Sequence, residues 1–322
     1  MRYWPSSSTR CPRPAFAIGG TARRSGSAAD QRLAWKKEIR PLALTGYPVP
    51  VTEHTVHANG IDIWYVEAGE GIPLLLLHGG SGSNGPLWVN HVHGWGTYLE
   101  LFAKHFRVIL PDTRGSGRTR NPSGKMSFAL FAQDYLAFIA ALGLEHPFIC
   151  GLSDGGTIAT LIGMLAPQVP RALVDWAGYS NLHPHKDAWA YRVTREWLGG
   201  SPEATHLDFD GLASRGTNLQ LRIDDFEPTQ GAGYMRTYFA QMFPVWTSPK
   251  EDTFADYPRV STPMLMLGGD RDHYYRVPEA FELFQPLPQG EFGIIPGTPH
   301  QLSRIGCLMA LDELQRRRSS SQ

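Results

Sequence analysis

A chain of 322 residues, 42% hydrophobic and 11% aromatic, is long and apolar enough for one large α/β domain carrying an insertion, or for two small domains. Its formal net charge of zero argues against nucleic acid or an acidic surface as the main partner, and no run of about 18 or more apolar residues marks an integral membrane segment. Three widely spaced cysteines (Cys11, Cys150, Cys307), with no C-x-x-C, fit a reducing compartment and neither a disulfide framework nor a zinc site.

Residues 1–40 hold nine Lys/Arg against two Asp/Glu, and the first thirty are rich in Arg, Ser, Gly and Ala. That composition resembles a transit-type leader or a tail without a fold, so residues 1–47 are set outside the folded body. The expected location is cytoplasmic, or organellar if the segment is a transit peptide. From Pro48 the pattern becomes regular. Residues 52–58 and 61–68 alternate around Asn59-Gly60, which suits a type I′ turn and predicts a β-hairpin. Residues 73–77 form a continuous apolar run ending in His78-Gly79-Gly80, the pattern of a buried parallel strand feeding a glycine loop. A helix is predicted near 95–105, a strand at 106–110, and a helix over 126–142, where Phe128, Phe131, Tyr135, Phe138, Ile139 and Leu142 recur at helical spacing before Gly143. A short strand from Phe148 then stops at Gly151, a helix follows at 157–165, and another strand at 172–176.

Residues 179–262 break this alternation. They are rich in Trp, Tyr, Met, Pro and Gly, with helical pieces at 187–198 and 234–243, and are too long for a plain connection. The acidic trio Asp224, Asp225 and Glu227 is read as a solvated loop. The rhythm resumes with a strand at 263–267, a helix at 278–284, a strand at 291–295, a helix at 304–315 and a polar tail over 317–322. Strands alternating with helices predict a mostly parallel, doubly wound sheet formed by residues 48–178 and 263–316.

The chemistry-bearing residues lie beyond predicted strand ends, where such sheets place ligands. Gly151-Leu-Ser-Asp-Gly155 is a G-x-S-x-G, the spacing of a tight strand-to-helix turn with Ser153 exposed at the apex. Its hydroxyl needs a base and an orienting acid. Asp272, in Gly268-Gly-Asp-Arg-Asp272, is favoured as acid over Asp270, which lies closer to the strand and suits local turn bonds, and over Asp175, inside a strand. His300, in Gly297-Thr-Pro-His300, completes the order Ser–Asp–His. Backbone N–H groups of Gly80 and Asp154 form a candidate oxyanion site. The pairs His91/His93 and His183/His185 lack further ligand spacing, so no metal is expected.

Together His78-Gly-Gly80, Asp112-Thr-Arg-Gly-Ser-Gly-Arg-Thr119, Gly151-Leu-Ser-Asp-Gly155, Gly269-Asp-Arg-Asp272 and Pro296-Gly-Thr-Pro-His300 resemble the α/β-hydrolase superfamily over roughly residues 50–315, in its lid-bearing branch of esterases, lactonases, C–C hydrolases and cofactor-free haloperoxidases. The resemblance implies an α/β-hydrolase fold, Ser153 as nucleophile, Asp272 as acid, His300 as base, residues 179–262 as a lid, and no cofactor. A serine at 153 departs from the carboxylate nucleophile of haloalkane dehalogenases and epoxide hydrolases. The glycine loop also lacks the proline of prolyl iminopeptidases. The expected activity is hydrolysis of a carboxylic ester or lactone of a small, apolar or aromatic molecule, with C–C hydrolysis or perhydrolysis on the same triad as alternatives and a hydrolase-like receptor as a more remote one. Trp189, Tyr238 and Trp246 are the candidate substrate contacts. The oligomeric state is left open, a homodimer among the options.

Overall fold

The computed structural model describes residues 46–178, 188–248 and 254–319. The leader-like segment up to residue 45, the His183/His185 pair and residues 320–322 lie outside them. Eight strands form one sheet: β1 (Thr52–Ala58), β2 (Ile61–Ala68), β3 (Pro73–Leu77), β4 (Arg107–Pro111), β5 (Phe148–Leu152), β6 (Ala172–Trp176), β7 (Met264–Gly269) and β8 (Gly290–Ile295). Their order is β1-β2-β4-β3-β5-β6-β7-β8. The predicted hairpin pairs Ala58 with Ile61 across Asn59 and Gly60, both at positive φ (48° and 75°), as a type I′ turn requires. β2 joins β4 antiparallel, and from β4 to β8 every pairing is parallel.

The described α-helices are α1 (Gly96–Ala103), α2 (Phe128–Ala141), α3 (Asp154–Leu165), α4 (Trp189–Gly199), α5 (Leu219–Gln230), α6 (Tyr234–Thr247), α7 (Val277–Phe284) and α8 (Arg304–Ser319), with 3-10 turns at Ala213–Arg215 and Phe254–Arg259. Apolar residues on the two faces of the sheet feed two separate cores. One gathers Leu75, Leu77, Ile109 and Ile149 with α2 and α3; the other gathers Leu74, Leu76, Val108 and Cys150 with α1 and α8. This two-faced burial is why the central strands read as continuous apolar runs. α2 starts where Ser127 accepts the Leu130 N–H through its side chain.

Three expectations change. The folded body reaches back past Pro48, because the Tyr47 hydroxyl donates to the Asn84 carbonyl at 2.7 Å. The last helix runs on through Arg317, whose guanidinium pairs with Glu313 and Glu291. The acidic trio is no solvated loop: it lies on α5, where Asp225 is 4% exposed and accepts from Ser83 Oγ at 2.5 Å. Among the described residues no helix is long and apolar enough to cross a membrane.

Candidate active site

β5 delivers Ser153 to the cavity floor on a strained turn, at φ 54° and ψ −121°. The chain can bend so sharply only because its flanks lack side chains. A Cβ on Gly151 would lie 2.1 Å from the Gly155 backbone, and one on Gly155 would lie 2.4 Å from the Leu77 carbonyl oxygen. The turn is tied to the sheet by the Ser153 N–H, which donates to the Trp176 carbonyl at 2.8 Å. α3 begins at Asp154, so helix N–H groups lie immediately beyond the nucleophile position.

The loops after β7 and β8 bring Asp272 and His300 to the same point. His300 Nε2 lies 3.0 Å from Ser153 Oγ, and its Nδ1 lies 2.7 Å from Asp272 Oδ2. Asp272 Oδ1 accepts the Tyr274 N–H at 2.9 Å, which fixes the carboxylate plane. With Asp272 as acceptor, the neutral imidazole carries its proton on Nδ1 and offers Nε2 as the base. Burial opposes charging His300, but the Asp272 charge, the hydrogen bond to it and the charge of Asp154 outweigh burial and raise its pKa above 6.5. Asp270 instead accepts the Gly297 N–H at 2.5 Å, the local loop bond expected of it. Asp175 sits wholly inside the sheet, accepting from Gly178 N–H and Thr160 Oγ1.

Above Ser153 lies a cavity of about 110 Å³, lined from the sheet side by Gly79, Gly80, Leu152, Asp154 and His300 and from α4–α6 by Thr194, Trp197, Arg222 and Trp246. Of the aromatic residues expected to meet substrate, Trp246 lines this cavity, and its Nε1 donates to Asp154 Oδ2 at 2.7 Å. Tyr238 lines a smaller neighbouring cavity behind the glycine loop instead. Trp189 lines neither; its indole N–H donates to the His273 carbonyl at 2.7 Å, and Arg276 lies 3.9 Å over its ring. Of the three, Trp246 alone lines the cavity above Ser153.

One pocket residue escaped the sequence reading. Arg222, only 5% exposed, lies 4.4 Å over the Trp88 ring. Nε donates to the Thr217 carbonyl and Nη1 to the Ser81 carbonyl. Burial lowers its pKa to about 10, which leaves it a cation at neutral pH. A buried cation facing a cavity favours an anion. No sequence signal marked it, because α5 lacks clean apolar periodicity. Tyr274, two residues after Asp272, stands edge-on to His300 at 4.9 Å between ring centroids.

A family model described as the alpha/beta hydrolase family matches residues 74–309. A 2-hydroxymuconate semialdehyde hydrolase of Pseudomonas putida is 34% identical over 73% of this chain and 82% of its own. A soluble epoxide hydrolase of Corynebacterium sp. is 32% identical over 34% of this chain, which spans about a third (35%) of that relative. Among solved structures, a thermophilic esterase of Thermogutta terrifontis is similar in fold, with a TM-score of 0.61 at 20% identity over 83% of this chain and 99% of that one.

Proposed function

The chain belongs to the alpha/beta hydrolase family and is a hydrolase, and from that premise we propose that it is a serine hydrolase acting on a small carboxylic ester or lactone. The observation that carries this reading is the unbroken line from Ser153 Oγ through His300 to Asp272, at 3.0 and 2.7 Å, opening onto a cavity. Ser153 Oγ attacks the acyl carbon as its proton passes to His300 Nε2. The carbonyl oxygen becomes an oxyanion received by the Gly80 and Asp154 N–H groups. Collapse expels the alkoxide, which takes the proton from His300, and leaves an acyl-enzyme. Water, deprotonated by the same nitrogen, attacks the acyl carbon and releases the acid with Ser153 restored. Asp272 steadies the imidazolium that forms twice in the cycle.

The cavity narrows the substrate. Leu152, Trp197 and Trp246 offer apolar and aromatic walls, and Arg222 offers a charge, so the substrate is proposed to carry a carboxylate away from the reacting carbonyl. The Pseudomonas putida relative is named for a muconate, itself a carboxylate, which supports that class. The same similarity favours a second reading, hydrolysis of a carbon–carbon bond beside a ketone on the same triad.

The test is a substrate panel: a p-nitrophenyl ester with a neutral acyl chain, its counterpart ending in a carboxylate, and a vinylogous diketone acid. Wild type should prefer an acid-bearing ester, and Ser153→Ala should lower its turnover at least ~10³-fold. Wild-type turnover by Ser153→Ala would sink the serine reading, and cleavage of the diketone alone would select the second one.

A further inference from the structure

The glycine loop after β3 holds a strain at the one position where it lacks a glycine. The Gly82 N–H donates to the Gly79 carbonyl at 3.2 Å, closing a turn, and the third residue of that turn, Ser81, lies at φ 51°. A positive φ there is ordinarily occupied by Gly or Asn, and it is a sparsely populated conformation for serine. It persists only where surroundings enforce it.

Those surroundings come from the insertion. The Ser81 N–H donates to the Tyr238 hydroxyl at 3.0 Å, and the Ser81 carbonyl accepts from Arg222 Nη1 at 2.7 Å. One side chain therefore grips the peptide group before Ser81 and another grips the one after it. All three residues are buried, and Tyr238 is itself fixed by edge contacts with Phe226 and Phe239. From the other side the core fixes the start of the turn. His78 Nε2 accepts the Thr113 N–H, so its proton is on Nδ1 and donates to the Gly79 carbonyl at 2.8 Å. Gly80 hangs between these two anchors, against the Asp154 carboxylate and Trp246.

We infer that Tyr238 is a positioning residue: by holding the Ser81 N–H it keeps the Gly79–Gly82 turn in its strained form and so aims the Gly80 N–H at the oxyanion. The inference rests on the serine-hydrolase reading above. Without the hydroxyl, the peptide plane between Gly80 and Ser81 is free to flip, which takes Ser81 to a relaxed negative φ and turns the backbone at Gly80. The insertion is then more than a cover, since part of the oxyanion site is set by it.

Tyr238→Phe in the full chain keeps the ring and removes only the acceptor. On the best p-nitrophenyl ester its kcat should fall ~10- to 100-fold with KM within about twofold, the signature of lost transition-state alignment. A phenylboronic acid, which adds to the serine as a tetrahedral anion, should lose affinity by a similar factor. Ser81→Gly on the Tyr238→Phe background should restore most of the kcat, because glycine takes φ 51° without the side-chain penalty. A crystal structure of Tyr238→Phe reads the Ser81 φ directly and should show it negative. Wild-type kcat in Tyr238→Phe, a loss that Ser81→Gly leaves untouched, or an unchanged Ser81 φ overturns the inference. Ser153→Ala in the same assay separates the two claims: full activity there defeats the serine reading, while the Ser81 φ still reports on the turn.

Discussion

At the floor of the cavity, Ser153, Asp272 and His300 stand just beyond β5, β7 and β8, where the paired strands fix the point at which each chain leaves the sheet. Over the cavity, α4, α5 and α6 reach the same space through Trp197, Arg222 and Trp246, with no sheet to set their register. The floor is positioned by backbone pairing and the roof by side-chain contacts, such as Trp246 on Asp154 and Asp225 on Ser83. Chemistry placed on the floor tolerates little variation in geometry, whereas the roof can change its side chains while the sheet stays intact. The floor should therefore govern turnover, and the roof should govern which molecule is turned over and how the glycine loop is held.

The strongest way to break this division is at Asp272, the proposed acid. Asp272→Asn keeps the shape of the loop but removes the charge facing His300 Nδ1, and kcat should fall about 10³–10⁴-fold. Asp270→Asn, two residues away, keeps an acceptor for the Gly297 N–H and should leave kcat within about twofold. The pH profile adds a second reading. In the proposed mechanism His300 works as a neutral base, and its pKa is raised above 6.5, so wild-type kcat/KM should fall as pH drops through a midpoint above that value. Asp272→Asn removes the largest cause that raises it, and the residual activity should show a lower midpoint. Equal losses in the two variants would mean that floor geometry does not assign the roles.

That contrast follows what the sequence made legible. Strand ends and their glycine turns are local signals, so Ser153, Asp272, His300 and the choice of Asp272 over Asp270 could be read from spacing and chain order. Arg222 could not: α5 carries two adjacent aspartates and Pro228, and its left-handed Asn218 start has no side-chain cap to announce a helix. Its placement against Trp88 and Ser81 depends on contacts across more than 130 residues of sequence. Tyr238 could be singled out for its aromatic ring, but the partner of its hydroxyl, a backbone N–H, leaves no trace in composition.

On the roof the expected effect is smaller and selective. Arg222→Gln keeps a donor for the Ser81 carbonyl but removes the cation, so the ratio of kcat/KM for the carboxylate ester over the neutral ester should drop about 10- to 100-fold. Taking the ratio cancels any shared change in the glycine loop. A ratio unchanged from wild type would mean that the buried cation does not meet substrate, and the roof would be left with walls alone.

The smallest effect separates the proposed catalytic carboxylate from a structural one in the same sheet. Asp175 is fully buried on β6, and burial raises its pKa to about 7 from 3.8 despite hydrogen bonds from Thr160 and Gly178. Between those values the folded state holds a proton that the unfolded state has released. Its contribution to stability is therefore fully present below 3.8 and is lost as pH rises through about 7. Asp175→Asn cannot titrate and keeps an oxygen for the Gly178 N–H. From pH 5 to pH 8 the urea midpoint should fall more for wild type than for the variant. Asp112, also raised to about 7 by burial, titrates in both proteins and cancels in the difference. A parallel fall in the two midpoints would show that the Asp175 carboxyl is ionised inside the sheet at both pH values, held by its two donors against the cost of burial.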